Sequence, residues 1–145
     1  MQIQFKRFFS TDSAKAIKAD KFGYLNGINY MAQDDTASTA EKYFTLCPDS
    51  TAGCRALCLG KYSGHAAMVA DLEHGTNATR KSRIRKAQYF MSDRKAFLAE
   101  MTWHIQKLAK QAKLANKTLA IRPNGSTDIN FANIARKFPE TQFID

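Results

Sequence analysis

A chain of 145 residues, 44% hydrophobic and 24% charged, has the size of one ordinary domain and is too rich in apolar side chains for a disordered segment. No apolar run approaches the roughly 20 residues of a membrane-spanning helix, and the start Met1-Gln-Ile-Gln-Phe5 lacks the apolar stretch and cleavage site of a secretory signal. Twenty-two Lys and Arg against 13 Asp and Glu give a net charge of +9, which raises the expectation of a polyanionic partner such as nucleic acid.

In chain order, Gln2 to Phe9 alternates well enough for a first strand, with Ile3, Phe5 and Phe9 on one face. Ser10 to Asp20 is polar and Ala/Lys-rich, a loop or short helix. Gly23 to Met31 has the aromatic and β-branched content of a strand or of a hairpin turning at Asn26-Gly27. Tyr43 to Leu46 reads as a short strand leading into Cys47. Ala66 to Glu73 is expected as a helix stopped by His74-Gly75. Asn77 or Thr79 can cap the next helix, which sets Ile84, Ala87, Gln88 and Met91 against a cationic side. Ser92-Asp93 starts the clearest helix, where Phe97, Met101, Ile105, Leu108 and Ala112 recur at the spacing of a buried stripe. Thr118 to Ile121 is a short buried strand, Asn124 to Asp128 a turn-rich loop, Asn130 to Lys137 a helix halted by Pro139, and Gln142 to Ile144 a last strand.

Two strands joined by a helix pair in parallel, so the expected fold is α/β. Without repeats or linkers, residues 1–145 read as a single domain with helices around an open, partly parallel sheet or partial barrel. The elements are too few to close an eight-stranded barrel. An open sheet edge can be covered by a second copy, which makes a homo-oligomer the expected way to protect it.

All three cysteines lie between residues 47 and 58, an odd number in one place, unlike the disulfide framework of a secreted protein. The expected compartment is the reducing cytoplasm. Cys47, Cys54 and Cys58 have the spacing C-x6-C-x3-C, with Pro48 and Gly53 turning the loop. On one helical turn Cys54 and Cys58 would face the same way. Three thiolates suit an iron–sulfur cluster with one iron left open. Zinc prefers four protein ligands, and His65 is the candidate that would complete a Cys3His set. Simple burial of small thiols is the third reading.

Arg122, Asn124, Ser126 and Asp128 follow a strand at its carboxyl end, where α/β sheets bind ligands, and form the candidate substrate-binding set. The other reading is a tight Asn-Gly turn followed by a helix capped by Asp128 or Asn130. Arg80, Lys81, Arg83, Arg85 and Lys86 form a basic helix that could track a nucleic-acid backbone, although a solvated face is commoner. His104 reads as structural and His74 as a helix terminus. The sequence holds no P-loop, no H-E-x-x-H and no Ser/His/Asp arrangement, so no catalytic residue is assigned.

Leu46-Cys47-Pro48, Ser50, Gly53-Cys54 and Cys58-Leu59, with Ser13-Ala-Lys15, the Arg83/Lys86 helix and Arg122-Pro-Asn-Gly-Ser-Thr-Asp128-Ile, resemble the phage gene-product-88 family over most of the chain. The resemblance implies a phage protein in the cytoplasm of an infected bacterium. It also implies continuation beyond Asp145, since family members extend further. The cysteine loop is similar to those of radical S-adenosylmethionine proteins. By that likeness a four-iron, four-sulfur cluster held by the three cysteines would bind S-adenosylmethionine at its open iron. The loop departs from that pattern, C-x3-C-x2-C, in its longer first gap, and no Gly-rich stretch for S-adenosylmethionine is present.

Overall fold

The computed structural model describes residues 1–144, which fall into two compact units. The first unit comprises Met1–Tyr30, Asp93–Gly125 and the segment from Asn130. Its centre is an open, three-stranded parallel sheet of β1 (Tyr24–Ile28), β2 (Thr118–Arg122) and β3 (Gln142–Phe143), in that order. The fold is therefore α/β, with a sheet that does not close. Asn26-Gly27 does not turn the chain; it lies inside β1, opposite Ala120 and Ile121. A Cβ on Gly27 would come within 3.0 Å of the Ile121 side chain and 3.1 Å of that of Leu108. The glycine thus marks close packing within a strand.

The long helix α5 (Arg94–Leu114) supplies that packing. Asp93 caps it by accepting the Ala96 N–H, and Asn116 ends it at a positive φ of 54°. A left-handed residue just past a helix is a common stop, because it turns the last carbonyls toward following N–H groups. The expected stripe is present: Phe97, Met101, Ile105 and Ala112 are buried, and Leu108 reaches toward Gly27.

Gln2 to Phe9 is not a strand. Its contribution to sheet pairing is the neighbouring isolated bridge between Ser10 and Ile28. The Gln4 and Phe5 N–H groups instead donate to the fully buried Glu100 carboxylate at 3.0 and 2.7 Å. Nε2 of His104 meets the Phe5 carbonyl at 2.9 Å; a carbonyl can only accept, so this nitrogen carries the proton. With its backbone satisfied this way, the segment buries Phe5, Phe8 and Phe9, not an every-second-residue set, and leaves Ile3 exposed. Ser13 caps α1 (Ala14–Asp20), the helical option for that stretch. The helix before β3 is α6 (Ala132–Ala135), shorter than expected, and Asn130 accepts the Ala132 N–H beside it.

The second unit comprises Met31–Ser92 and Ser126–Ile129. It is held by loops around α2 (Ala52–Ala56), α3 (Leu59–Tyr62) and α4 (Ala78–Ser92). Tyr43 to Leu46 is no strand, because the Phe44 and Leu46 N–H groups bond to the Ser38 hydroxyl and the Asp34 carbonyl. Ala66 to Glu73 is no helix: a 3-10 turn over Gly64–Ala67 gives way to bends. The cause lies in α4. Arg80 donates to the carbonyls of Lys61, Ala66, Leu72 and Gly75, gathering that strap around one guanidinium. Asn77 caps α4 through the Arg80 N–H at 2.9 Å and reaches the His65 carbonyl with its own amide.

Candidate functional site

The cysteine loop lies in the second unit and is firm at one end. Leu46 is fully buried, which seats Cys47 directly after a core residue. The Cys47 N–H donates to the Thr45 hydroxyl, which in turn donates to the Asp34 carboxylate. The Asp34 N–H, presented from a positive φ of 48°, points at Cys47 Sγ at 3.3 Å. The Ser126 carbonyl faces the same sulfur at 3.9 Å. Burial pushes the Cys47 thiol above its ordinary pKa. The Asp34 amide pulls it back, while the Asp34 carboxylate and the Cys58 and Cys54 thiolates push it up again. Both other thiols therefore lie within electrostatic reach of Cys47.

The far end of the loop is open. Thr51 caps α2 by accepting the Cys54 N–H at 3.1 Å, and Cys54 is exposed. The expected helical face shared by Cys54 and Cys58 does not form. The helix stops at Ala56, and Cys58 is extended, with ψ of 114°, as the residue that precedes α3. His65 is exposed on the 3-10 turn. In donor type alone the three cysteines suit a thiolate-ligated group. Among the described residues, however, no three His, Cys, Asp or Glu side chains are drawn together as a ready ligand set.

The Arg122–Asp128 set is divided between the units. Arg122 and Asn124 belong to the first, Ser126 and Asp128 to the second. In the first unit, Asn29 takes the Arg122 carbonyl on its N–H and the Pro123 carbonyl on its side-chain amide. Gly125 is required there: a Cβ would lie 2.6 Å from the Tyr30 ring and 2.8 Å from the Asn29 carbonyl. Asn26 Oδ1, Asn29 Oδ1 and Arg122 Nε are buried without a protein partner. Buried groups of this kind are met by an ordered water or a ligand. In the second unit, the Ser126 hydroxyl donates to the Met31 carbonyl and the Asp128 N–H to the Leu46 carbonyl. Ser126 to Asp128 therefore braces the cysteine loop. Sequence order, with some seventy residues between them, gave no sign of this contact.

The five cations of α4 are not equivalent. Arg80 is tied to the strap's carbonyls, Lys86 is buried and Arg83 half-buried, while Lys81 and Arg85 are exposed. Arg80 was missed as an organiser because nothing in its sequence context distinguishes it from its cationic neighbours.

A family model described as Gene product 88 matches residues 6–145. The chain belongs to that family. Neither a curated protein nor a solved structure matches this gene product 88 chain. Membership supports a phage protein and leaves its chemistry to be argued from the thiols. Among the described residues, no helix of this family member is long and apolar enough to cross a membrane.

Proposed function

We propose that this gene product 88 chain uses Cys47, Cys54 and Cys58 to hold an iron–sulfur cluster of the three-cysteine type. What supports the reading is the donor set: three soft thiols lie within one loop of twelve residues, with Cys47 held at its fixed end, although among the described residues the three side chains are not drawn together without a ligand. Cys47 is the anchoring ligand in this reading, because its backbone is already fixed through Thr45 and Asp34. An N–H directed at a cluster sulfur ligand is a recognised means of tuning potential, and the Asp34 amide is placed to supply it. Cys54 and Cys58 would close from the exposed side. A bound cluster would supply electron transfer or an open iron for a small-molecule ligand. The chain's own residues would hold it and shield it on the Cys47 side.

Binding also requires the Cys47 proton to leave, so loading should improve as pH rises toward the thiol range. The test is anaerobic reconstitution with iron and sulfide, followed by metal and acid-labile sulfide analysis. Iron and sulfide near four each per chain, lost in Cys47→Ser, support the proposal. A colourless, iron-free protein after reconstitution overturns it. About one zinc per chain in place of iron would favour the alternative, a zinc-stabilised basic module that binds nucleic acid or a host protein without catalysis.

A further inference from the structure

In the first unit, β1, β2 and β3 run parallel and side by side, so their amino ends share one edge of the sheet. Each strand follows a helix: α1, α5 and α6 lead into β1, β2 and β3. Three helix-to-strand connections are therefore gathered along that edge. Two of them are tied together, by the Thr118 N–H on the Gly23 carbonyl at 2.9 Å and by the ion pair of Lys117 with Asp20.

This edge is basic. Lys18, Lys21, Lys113, Arg136 and Lys137 are exposed along it, and none of them has an ion-pair partner among the described residues. The acids of the same connections are Asp20, which Lys117 neutralises, and Glu140. Lys18 and Lys113 suit the helix C-termini they occupy, but that leaves the other three cations and Phe22 without a purpose. Phe22 is 80% exposed on a fixed turn: its N–H bonds to the Ala19 carbonyl at 3.0 Å, and Gly23 takes a φ of 82° before β1. Leu114, 89% exposed, ends the neighbouring helix.

We propose that this edge binds single-stranded nucleic acid, with phosphates on the five cations and an unstacked base on the Phe22 ring. The charge selects a polyanion, and its like sign opposes a second copy of the chain. Cations interleaved with an exposed ring are the combination that holds single strands, whose base faces are open for stacking. A lipid surface suits the edge less, since Phe22 and Leu114 come from separate connections and form no amphipathic stripe. The basic helix α4 is committed elsewhere, with Arg80 on backbone carbonyls and Lys86 buried. The site does not depend on a metal at the cysteines.

The test is fluorescence anisotropy of a short labelled oligothymidylate with the intact chain, with a duplex of equal length and phosphatidylserine vesicles as comparisons. Affinity should fall with salt at a log–log slope of about −3, at ~0.7 per contacted phosphate. The double variant Lys21→Ala/Lys113→Ala should reduce that slope by roughly 1. Phe22→Ala should weaken binding ~10-fold with the slope unchanged, and Phe22→Tyr should retain it. Lys95 lies roughly 27 Å from Lys113 along α5, at ~1.5 Å per residue, beyond the reach of screened charge, so Lys95→Ala should leave affinity unchanged. All these side chains are exposed, so the variants should fold as the native chain does. No binding at low salt, unchanged affinity in Phe22→Ala, or a loss in Lys95→Ala equal to that in Lys113→Ala would overturn the site. A duplex bound as tightly as the single strand would overturn the assignment to unstacked bases. Binding to vesicles in place of the oligonucleotide would overturn the assignment to nucleic acid. Failure of iron loading would leave these results untouched, so the two readings fail separately.

Discussion

Replacing Arg80 separates two accounts of the basic helix. If Arg80 tracks a polyanion, its charge is what counts, and Arg80→Lys should behave much like the native protein. If it is the organiser of the Lys61–Gly75 strap, its planar fork is what counts, because it serves four carbonyls in four directions. The bonds run from 2.5 Å to Ala66 to 3.2 Å to Lys61. Three are partly buried and the one to Leu72 is exposed. Hydrogen bonds from a charged donor contribute about 1.5–3 kcal/mol when buried. Partial exposure lets water replace them, so about 1 kcal/mol each is the appropriate figure.

Arg80→Ala should then cost about 3–4 kcal/mol of strap stability. Arg80→Lys, with one nitrogen unable to span the same carbonyls, should cost about 2 kcal/mol. That amounts to roughly 30-fold faster amide exchange for strap residues that open locally. Native-state hydrogen exchange on Val69, Gly75 and their neighbours reads this directly, since both N–H groups are bonded within the strap. Exchange in Arg80→Lys indistinguishable from native, together with a drop in affinity for heparin or DNA in Arg80→Ala, would refute the scaffold account.

Cys47 should react with iodoacetamide more slowly than exposed Cys54, by mass mapping of partly labelled protein, because burial raises its pKa and shields it. The sign of the linked stability follows: the folded thiol holds its proton above the ordinary 9.0. Stability is thus fully present below about pH 9 and lost as pH climbs through the raised value, a fall that Cys47→Ser should remove from the denaturation profile. Glu100→Ala leaves the Gln4 and Phe5 N–H groups without their acceptor and should cost about 3 kcal/mol by urea denaturation, with Glu100→Gln costing less. Equal stability of Glu100→Ala and the native chain would show that the segment is not held this way.

The parts of the fold visible in the sequence are those fixed by local repetition. The stripe from Phe97 to Ala112, the Asp93 cap and the strands at Tyr24, Thr118 and Gln142 depend on period and capping, which act over a few residues. The misreadings involve contacts that a local pattern does not contain. Gln2 to Phe9 alternates like a strand, yet its donors go to a carboxylate some ninety-five residues away. Ala66 to Glu73 has helical composition, but Arg80 takes the Ala66 carbonyl that the first turn of a helix would have used. Asn26-Gly27 is a turn signal by composition, and the close approach of Leu108 gives the glycine a different purpose. In the candidate site, the clustering of three cysteines in one loop was legible; the separate placement of Cys54 and Cys58 and the bracing of Cys47 by Ser126 and Asp128 were not, because both are set by tertiary contacts.

The same contrast bears on how a thiol centre here would assemble. One end of the loop is fixed before any ligand arrives: Leu46 is buried, Cys47 is bonded through Thr45, and the Ser126–Ile129 segment is packed beside it. The other end carries Cys54 exposed on a five-residue helix and Cys58 at a break between helices. Short helices with no buried residues have little packing to hold them. Ligation would therefore reorder α2 and α3 around a stationary Cys47, and the ordering cost would fall on residues 51–62 alone. Substituting Gly53 by Ala should be tolerated before loading, since a Cβ there meets nothing closer than the Thr51 hydroxyl at 3.9 Å. Amide exchange in residues 51–62 should slow on reconstitution while that of Leu46 and Asp128 stays constant. Protection spread evenly over the unit would mean that the centre forms by some other route than closure onto Cys47.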